Sequence, residues 1–138
     1  MKHTMLTLAL LTVSACSMAA AQTAPNFDWT GIWHAHAGDL PTDTLTLATD
    51  TGALGGTVVL DMVSHKGQTP YVIASEPHVL MNLQAHGNKL NFQVKMKPPS
   101  GSIAVASFTV TSTSADKANV HCTSCGPDAP IVELVRGQ

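Results

Sequence analysis

The chain holds 138 residues, of which 44% are hydrophobic, 4% aromatic and 12% charged, with a formal net charge of −2. Seven Lys and Arg against nine Asp and Glu leave no cationic surplus to neutralise phosphates, which excludes nucleic acid as a partner. A near-average apolar fraction with so little charge also argues against disorder and for a single globular domain.

Residues 1–21 read as an export signal. Lys2 supplies a sparse positive end, and Met5 to Ala15 form an apolar stretch too short to span a bilayer comfortably. Two processing readings stay open. Ala19-Ala20-Ala21 before Gln22 has the small-x-small pattern of a signal-peptidase site. Val13-Ser14-Ala15-Cys16 instead resembles the lipobox of bacterial lipoproteins, in which acylated Cys16 holds the domain on a membrane through buried CH₂ groups. Ser17 behind it then implies the outer membrane. Both readings take the domain out of the cytoplasm, to the periplasm or beyond, and involve a membrane only through that anchor. Residues 22–27 form a short leader, and 28–138 form the folded domain.

From Phe27 onward apolar residues recur with period two, the signature of half-buried strands. The predicted strands cover about 29–37, 43–49, 54–64, 71–75, 78–86, 90–97, 102–112, 118–122 and 130–136. Leu45 and Leu47 sit between threonines, and Val58, Leu60 and Met62 share a phase. Val79, Met81, Leu83 and Ala85 share another, and Leu90, Phe92, Val94 and Met96 alternate with Asn91, Gln93, Lys95 and Lys97. Ile103 and Val105 stand out of phase with Phe108 and Val110, which predicts a β-bulge or a bend around Ala106-Ser107. Turn formers such as Asp50-Thr51-Gly52 and His86-Gly87-Asn88-Lys89 separate the runs. The looser stretch His65 to Pro77 is the candidate lid or mouth loop. Eight or nine antiparallel strands on short hairpins predict an all-β, closed up-and-down barrel, which leaves no exposed edge.

The first strand carries Trp29-Thr30-Gly31-Ile32-Trp33, followed by Thr44-Leu45-Thr46-Leu47 and Gly52-Ala53-Leu54-Gly55-Gly56-Thr57. This Gly-x-Trp strand, second strand, tight turn and Leu-x-Gly-Thr third strand resemble the lipocalin and avidin (streptavidin-like) barrels, the calycins. The resemblance implies that Arg136, on the last strand with Val132 and Leu134, packs over Trp33 at the closed end, with Gly31 and Trp33 as structural residues. Such a contact is a cation–π pair of roughly 0.5–2 kcal/mol. The biotin-contacting Asn and Tyr of avidin-type proteins are replaced by Ala35 and Val58, so the likeness extends to the scaffold and not to biotin.

Few residues suggest chemistry. Cys122-Thr123-Ser124-Cys125 is a C-x-x-C motif in an exported chain, where a local disulfide is the leading reading. A redox site lacks its βαβ setting, and zinc lacks a second cysteine pair. His34 and His36, two residues apart on one strand face, are weak metal candidates, with a solvated strand face as the leading reading. No nucleophile-elbow, zinc-protease, phosphate-loop or dinucleotide motif is present, so no enzyme activity and no cofactor are expected. Two functions remain. In the first the barrel interior, with Trp33, Met62, Met81, Phe92, Met96 and Phe108 as ligand-binding residues, takes an unidentified small apolar molecule. In the second the loops form a protein-interaction module, such as a secreted protease or lysozyme inhibitor, with Tyr71 in the Ser64–Pro77 stretch.

Overall fold

The computed structural model describes residues 26–67, 69–97 and 101–138. The expected export signal with Cys16 and most of the expected leader lie outside them. The described residues form nine strands and no helix: β1 (Gly31–Ala37), β2 (Leu40–Asp50), β3 (Ala53–Ser64), β4 (Tyr71–Val79), β5 (Met81–His86), β6 (Lys89–Met96), β7 (Ala104–Ser112), β8 (Lys117–Cys122) and β9 (Ile131–Arg136). Short turns join most of them. Between β2 and β3, Thr51 and Gly52 have φ of 48° and 81°, the paired positive values that match a two-residue turn to the strands' twist.

All pairings are antiparallel, and the sheet order is β4-β3-β2-β1-β9-β8-β7-β6-β5. The chain therefore meanders up and down in two halves, joined where Trp33 pairs with Arg136 and His34 with Val135. The two edge strands, β4 and β5, are separated in sequence by Leu80 alone, and no ladder joins them. The expected meander of nine antiparallel strands is present, but its hydrogen bonding does not close into a ring. At Leu80, whose N–H donates to the Gly56 carbonyl at 3.1 Å, the chain leaves β3 and passes to β6. One length of strand is thus divided between two neighbours instead of pairing with both along its whole length.

The strand interiors follow the alternation. Leu45 and Leu47, Leu90, Phe92 and Val94, Val110, Ala118 and Leu134 are buried in one cluster with Trp29, Trp33, Ala35, Val58 and Leu80. Residues from β1, β2, β3, β6, β7, β8 and β9 meet in it, so the sheet is folded over itself about one core. Each fully buried Leu or Val contributes about 1.5–3 kcal/mol of transfer free energy.

Three local expectations are corrected. No bulge occurs at Ala106-Ser107: the β6–β7 register runs unbroken from Lys89↔Thr111 to Met96↔Ala104. Ala106, buried, is the inward residue there, while Ile103 and Val105 face outward at 70% and 47% exposure. The irregularities lie instead between His34 and Ala35, between Met62 and Val63, and between Met81 and Gln84. Of His65 to Pro77 only the part before Tyr71 connects strands: the strand expected at 71–75 is present and runs on to Val79 as β4, paired with β3 from Ser64↔Tyr71 onward. Both faces of β4 are largely exposed, which removes the one-sided burial that writes a period-two pattern. The single phase expected across Val79 and Met81 breaks at Leu80, which is buried while Val79 is 71% exposed.

Candidate functional site

Local chemistry makes the two ends of the folded sheet different. At one end Phe27, Trp29 and Trp33 form an aromatic cluster, with ring centroids 4.6 Å apart for Phe27–Trp29 and 5.9 Å for Trp29–Trp33. The Trp33 Nε1–H donates to the Trp29 carbonyl at 3.1 Å. The Arg136 guanidinium lies over the Trp33 ring at 4.2 Å from its centroid. It also donates to the Thr30 carbonyl, to the Asp28 carbonyl at 2.8 Å and to the Ala115 carbonyl at 3.2 Å. Gly31 makes the crossing possible: at φ 123°, a Cβ there would stand 3.2 Å from Arg136 Nη1. Asp28 accepts from the hydroxyl and backbone N–H of Thr30, which holds its carboxyl below the usual aspartate range. This end is sealed by a fixed cation on an aromatic platform.

Towards the other end the same inward phases surround a cavity of about 490 Å³. Ala35 of β1, Leu45 of β2, Val58 and Leu60 of β3, Phe92 of β6, Phe108 of β7, Val120 and Cys122 of β8, and Val132 and Leu134 of β9 line it. The Phe92 and Phe108 rings stack at 5.3 Å. The β8–β9 connection supplies Cys125, Asp128, Ala129 and Pro130 to the wall. That connection is tied back by the Cys122–Cys125 disulfide, with Cα atoms 5.4 Å apart, and by the Thr123 N–H bond to the Ser107 carbonyl at 2.8 Å.

One further wall residue breaks the apolar pattern. Asp43 has the phase of Leu45 and Leu47 but is an extra residue on β2: His34 pairs with Thr44 and Ala35 with Thr42, which leaves Asp43 unpaired at φ 27°. Its Oδ1 accepts the Asp61 N–H at 2.7 Å, so a side chain replaces the carbonyl that the bulge removes from the ladder. Burial pushes its carboxyl above the usual aspartate range, the nearby Asp61 charge adds to that, and the Asp61 N–H bond opposes both.

Of the residues expected to bind ligand, Phe92 and Phe108 line this cavity together, whereas Trp33, Met62, Met81 and Met96 do not. Trp33 is fully buried in the aromatic end, and Met62, beyond the last β2–β3 pair at Thr44↔Val59, is 59% exposed. Met96 packs against the core edge, and Met81 is half-buried at the start of β5. Asp43 and Asp128 escaped the sequence reading because carboxylates beside turns read as solvated; the usable signal was the parity of positions 43, 45 and 47. His34 has its Nδ1 3.1 Å from the Thr44 hydroxyl, and His36 is exposed. Among the described residues no group of three His, Cys, Asp or Glu side chains is placed to hold a metal ion. A second depression, of about 350 Å³, lies over β5, β6 and β7, where Asn82 donates to Gln93 and Gln93 to Ser107, and Thr109 separately donates to Asn91.

Compared with known proteins, the chain matches no family model, no curated protein and no solved structure.

Proposed function

We propose that the chain is an exported, non-enzymatic calycin-like barrel that holds a small apolar molecule in its interior. The observation that carries this reading is the cavity of about 490 Å³ walled by apolar side chains from seven of the strands. Small-molecule sites commonly occupy about 300–1,000 Å³ with mostly apolar walls and a few polar groups. The calycin likeness is supported by the position of Arg136 over Trp33 beside Gly31, at the end away from the cavity. In this reading the break between β4 and β5 is a seam in an otherwise continuous wall. Residues 1–21 direct export, leaving the domain periplasmic or secreted, or on the outer membrane through Cys16.

The test is mass spectrometry of the purified protein under native and denaturing conditions, followed by titration with an uncharged fluorescent apolar probe. A mass excess lost on denaturation, or saturable binding of one probe per chain, is expected. A bare mass together with no probe binding overturns the reading.

A second reading, a protein-interaction module, rests on the β3–β4 hairpin, where Met62, Tyr71 and Ile73 are 59%, 49% and 57% exposed. Exposed apolar groups on an edge strand suit partner docking more than solution. Replacing Tyr71 and Ile73 with Ser leaves probe binding intact if the cavity is the functional site, and probe binding that falls with these surface changes contradicts that assignment.

A further inference from the structure

We infer that the cavity selects ligands carrying a protonated amine on an apolar body; this rests on the proposed binding function and adds the charge of the ligand to it. Among the described residues, Asp43 and Asp128 are the only ionisable side chains in the cavity wall, and no Lys, Arg or His contributes to it. They enter from separate places, one from a bulge in β2 and the other from the β8–β9 connection. An anionic ligand would meet two like charges, whereas an ammonium would meet two acceptors.

Two aromatic wall residues suit the same charge. The stacked Phe92 and Phe108 rings border the cavity, and the negative π-face of an aromatic ring attracts a cation. Asp43 is half-buried, has no cationic partner among the described residues and accepts one described hydrogen bond, from the Asp61 N–H. A neutral Asn would serve that backbone bond equally, since only an acceptor oxygen is needed. The purely local role therefore accounts for an acceptor at position 43 but not for its charge. A carboxylate left there without a counter-charge bears a desolvation penalty that an entering ammonium relieves.

The experiment is isothermal titration calorimetry of the purified protein at neutral pH with three probes of equal tail length, decan-1-ol, decylammonium and decanoate, each below its aggregation threshold. Decylammonium is expected to bind at least about tenfold more tightly than decan-1-ol (about 1.4 kcal/mol), and decanoate more weakly than either. In Asp43→Asn the decylammonium-to-decanol affinity ratio falls towards one. Asp128→Asn, at an exposed position, lowers the same ratio and serves if the Asp43 variant does not fold. Equal affinity for the alcohol and the amine overturns the inference and leaves the apolar cavity standing. Binding of none of the three overturns the cavity reading with it. An amine preference that survives both substitutions also refutes the assignment to these carboxylates.

Discussion

Replacing Arg136 with Met is the sharpest test of the sealed end. Met keeps much of the aliphatic stem and removes the guanidinium, which is the part that reaches three carbonyls and the Trp33 ring. A hydrogen bond from a charged donor is worth about 1.5–3 kcal/mol net, and a partly desolvated cation–π contact about 1–2 kcal/mol. These do not add, because water can reach some of the freed carbonyls: the Arg136 side chain is itself 22% exposed. The contact to Asp116, at 3.8 Å with that carboxylate 76% exposed, adds almost nothing in high dielectric. A net loss of about 3 kcal/mol is expected, which for a domain of this size lowers Tm by about 10 °C. The assay is urea unfolding followed by tryptophan fluorescence, since both tryptophans of the chain stand in this cluster. Arg136→Lys retains the charge without the planar fork and is expected to recover no more than about 1 kcal/mol. Full recovery by Lys, or a loss below about 1 kcal/mol for Met, would refute the role of the fork geometry.

Other consequences can be checked with the same unfolding assay. Gly56→Ala places a Cβ against the Thr46 carbonyl oxygen, a backbone atom that has no room to retreat, so a loss of about 3 kcal/mol or failure to fold is expected. Gly55→Ala, with nothing within 4 Å of its added Cβ, is the matched control, and equal midpoints for the two variants contradict the clash. Reducing the Cys122–Cys125 disulfide, which closes a four-residue loop, is expected to cost about 2 kcal/mol by loop entropy; an unchanged urea midpoint in reductant argues against that bridge as a constraint. For Asp43, a folded-state pKa above the ordinary 3.8 means that the folded chain holds this proton more tightly than the unfolded one. Its contribution to stability is therefore greatest at low pH and is lost as pH rises from the ordinary value through the raised one. Asp28, whose pKa is lowered from 3.8, acts oppositely: its contribution is present above that value and is lost as pH falls through the depressed one. Urea midpoints measured across this window should shift in favour of Asp43→Asn over wild type as pH rises, and parallel curves contradict the shift.

Much of the meander was legible because burial on one face writes itself into alternation. Leu90, Phe92 and Val94 on β6 are buried while Asn91 and Lys95 stay exposed, and the strand was read from that contrast. Where the contrast is absent the reading failed. β4 is solvated on both sides, so its strand was legible only over residues 71–75, and Glu76-Pro77 read as loop. At β7 the inward residue is Ala106, too small to mark a face, and the larger outward Ile103 and Val105 drew the phase to themselves. The cavity wall was only half visible. Phe92 and Phe108 follow the pattern, but Met62 keeps the phase of Val58 and Leu60 past the last β2–β3 pair and is exposed. Asp43 keeps it where an apolar residue is expected, because a bulge turns its carboxylate into a ladder acceptor. Parity identifies which side of a strand a residue takes. It carries no information about how far the opposite half of the sheet extends.

The position of β9 between β1 and β8 has a consequence for the order in which the strands assemble. As the chain folds, β1 to β4 and β5 to β8 can each zip up from neighbouring hairpins, yet β1 keeps a bare edge and Trp33 lacks its cover throughout. Both are satisfied only when residues 131–136 arrive from the far end of the domain and dock along two strands at once. Pairings of such long sequence separation form late and slowly, so the chain before β9 docks is expected to hold two partial sheets with facing unpaired edges. Those edges, on β1 and β8, are where a stalled or truncated chain would join another copy by strand exchange and begin to aggregate.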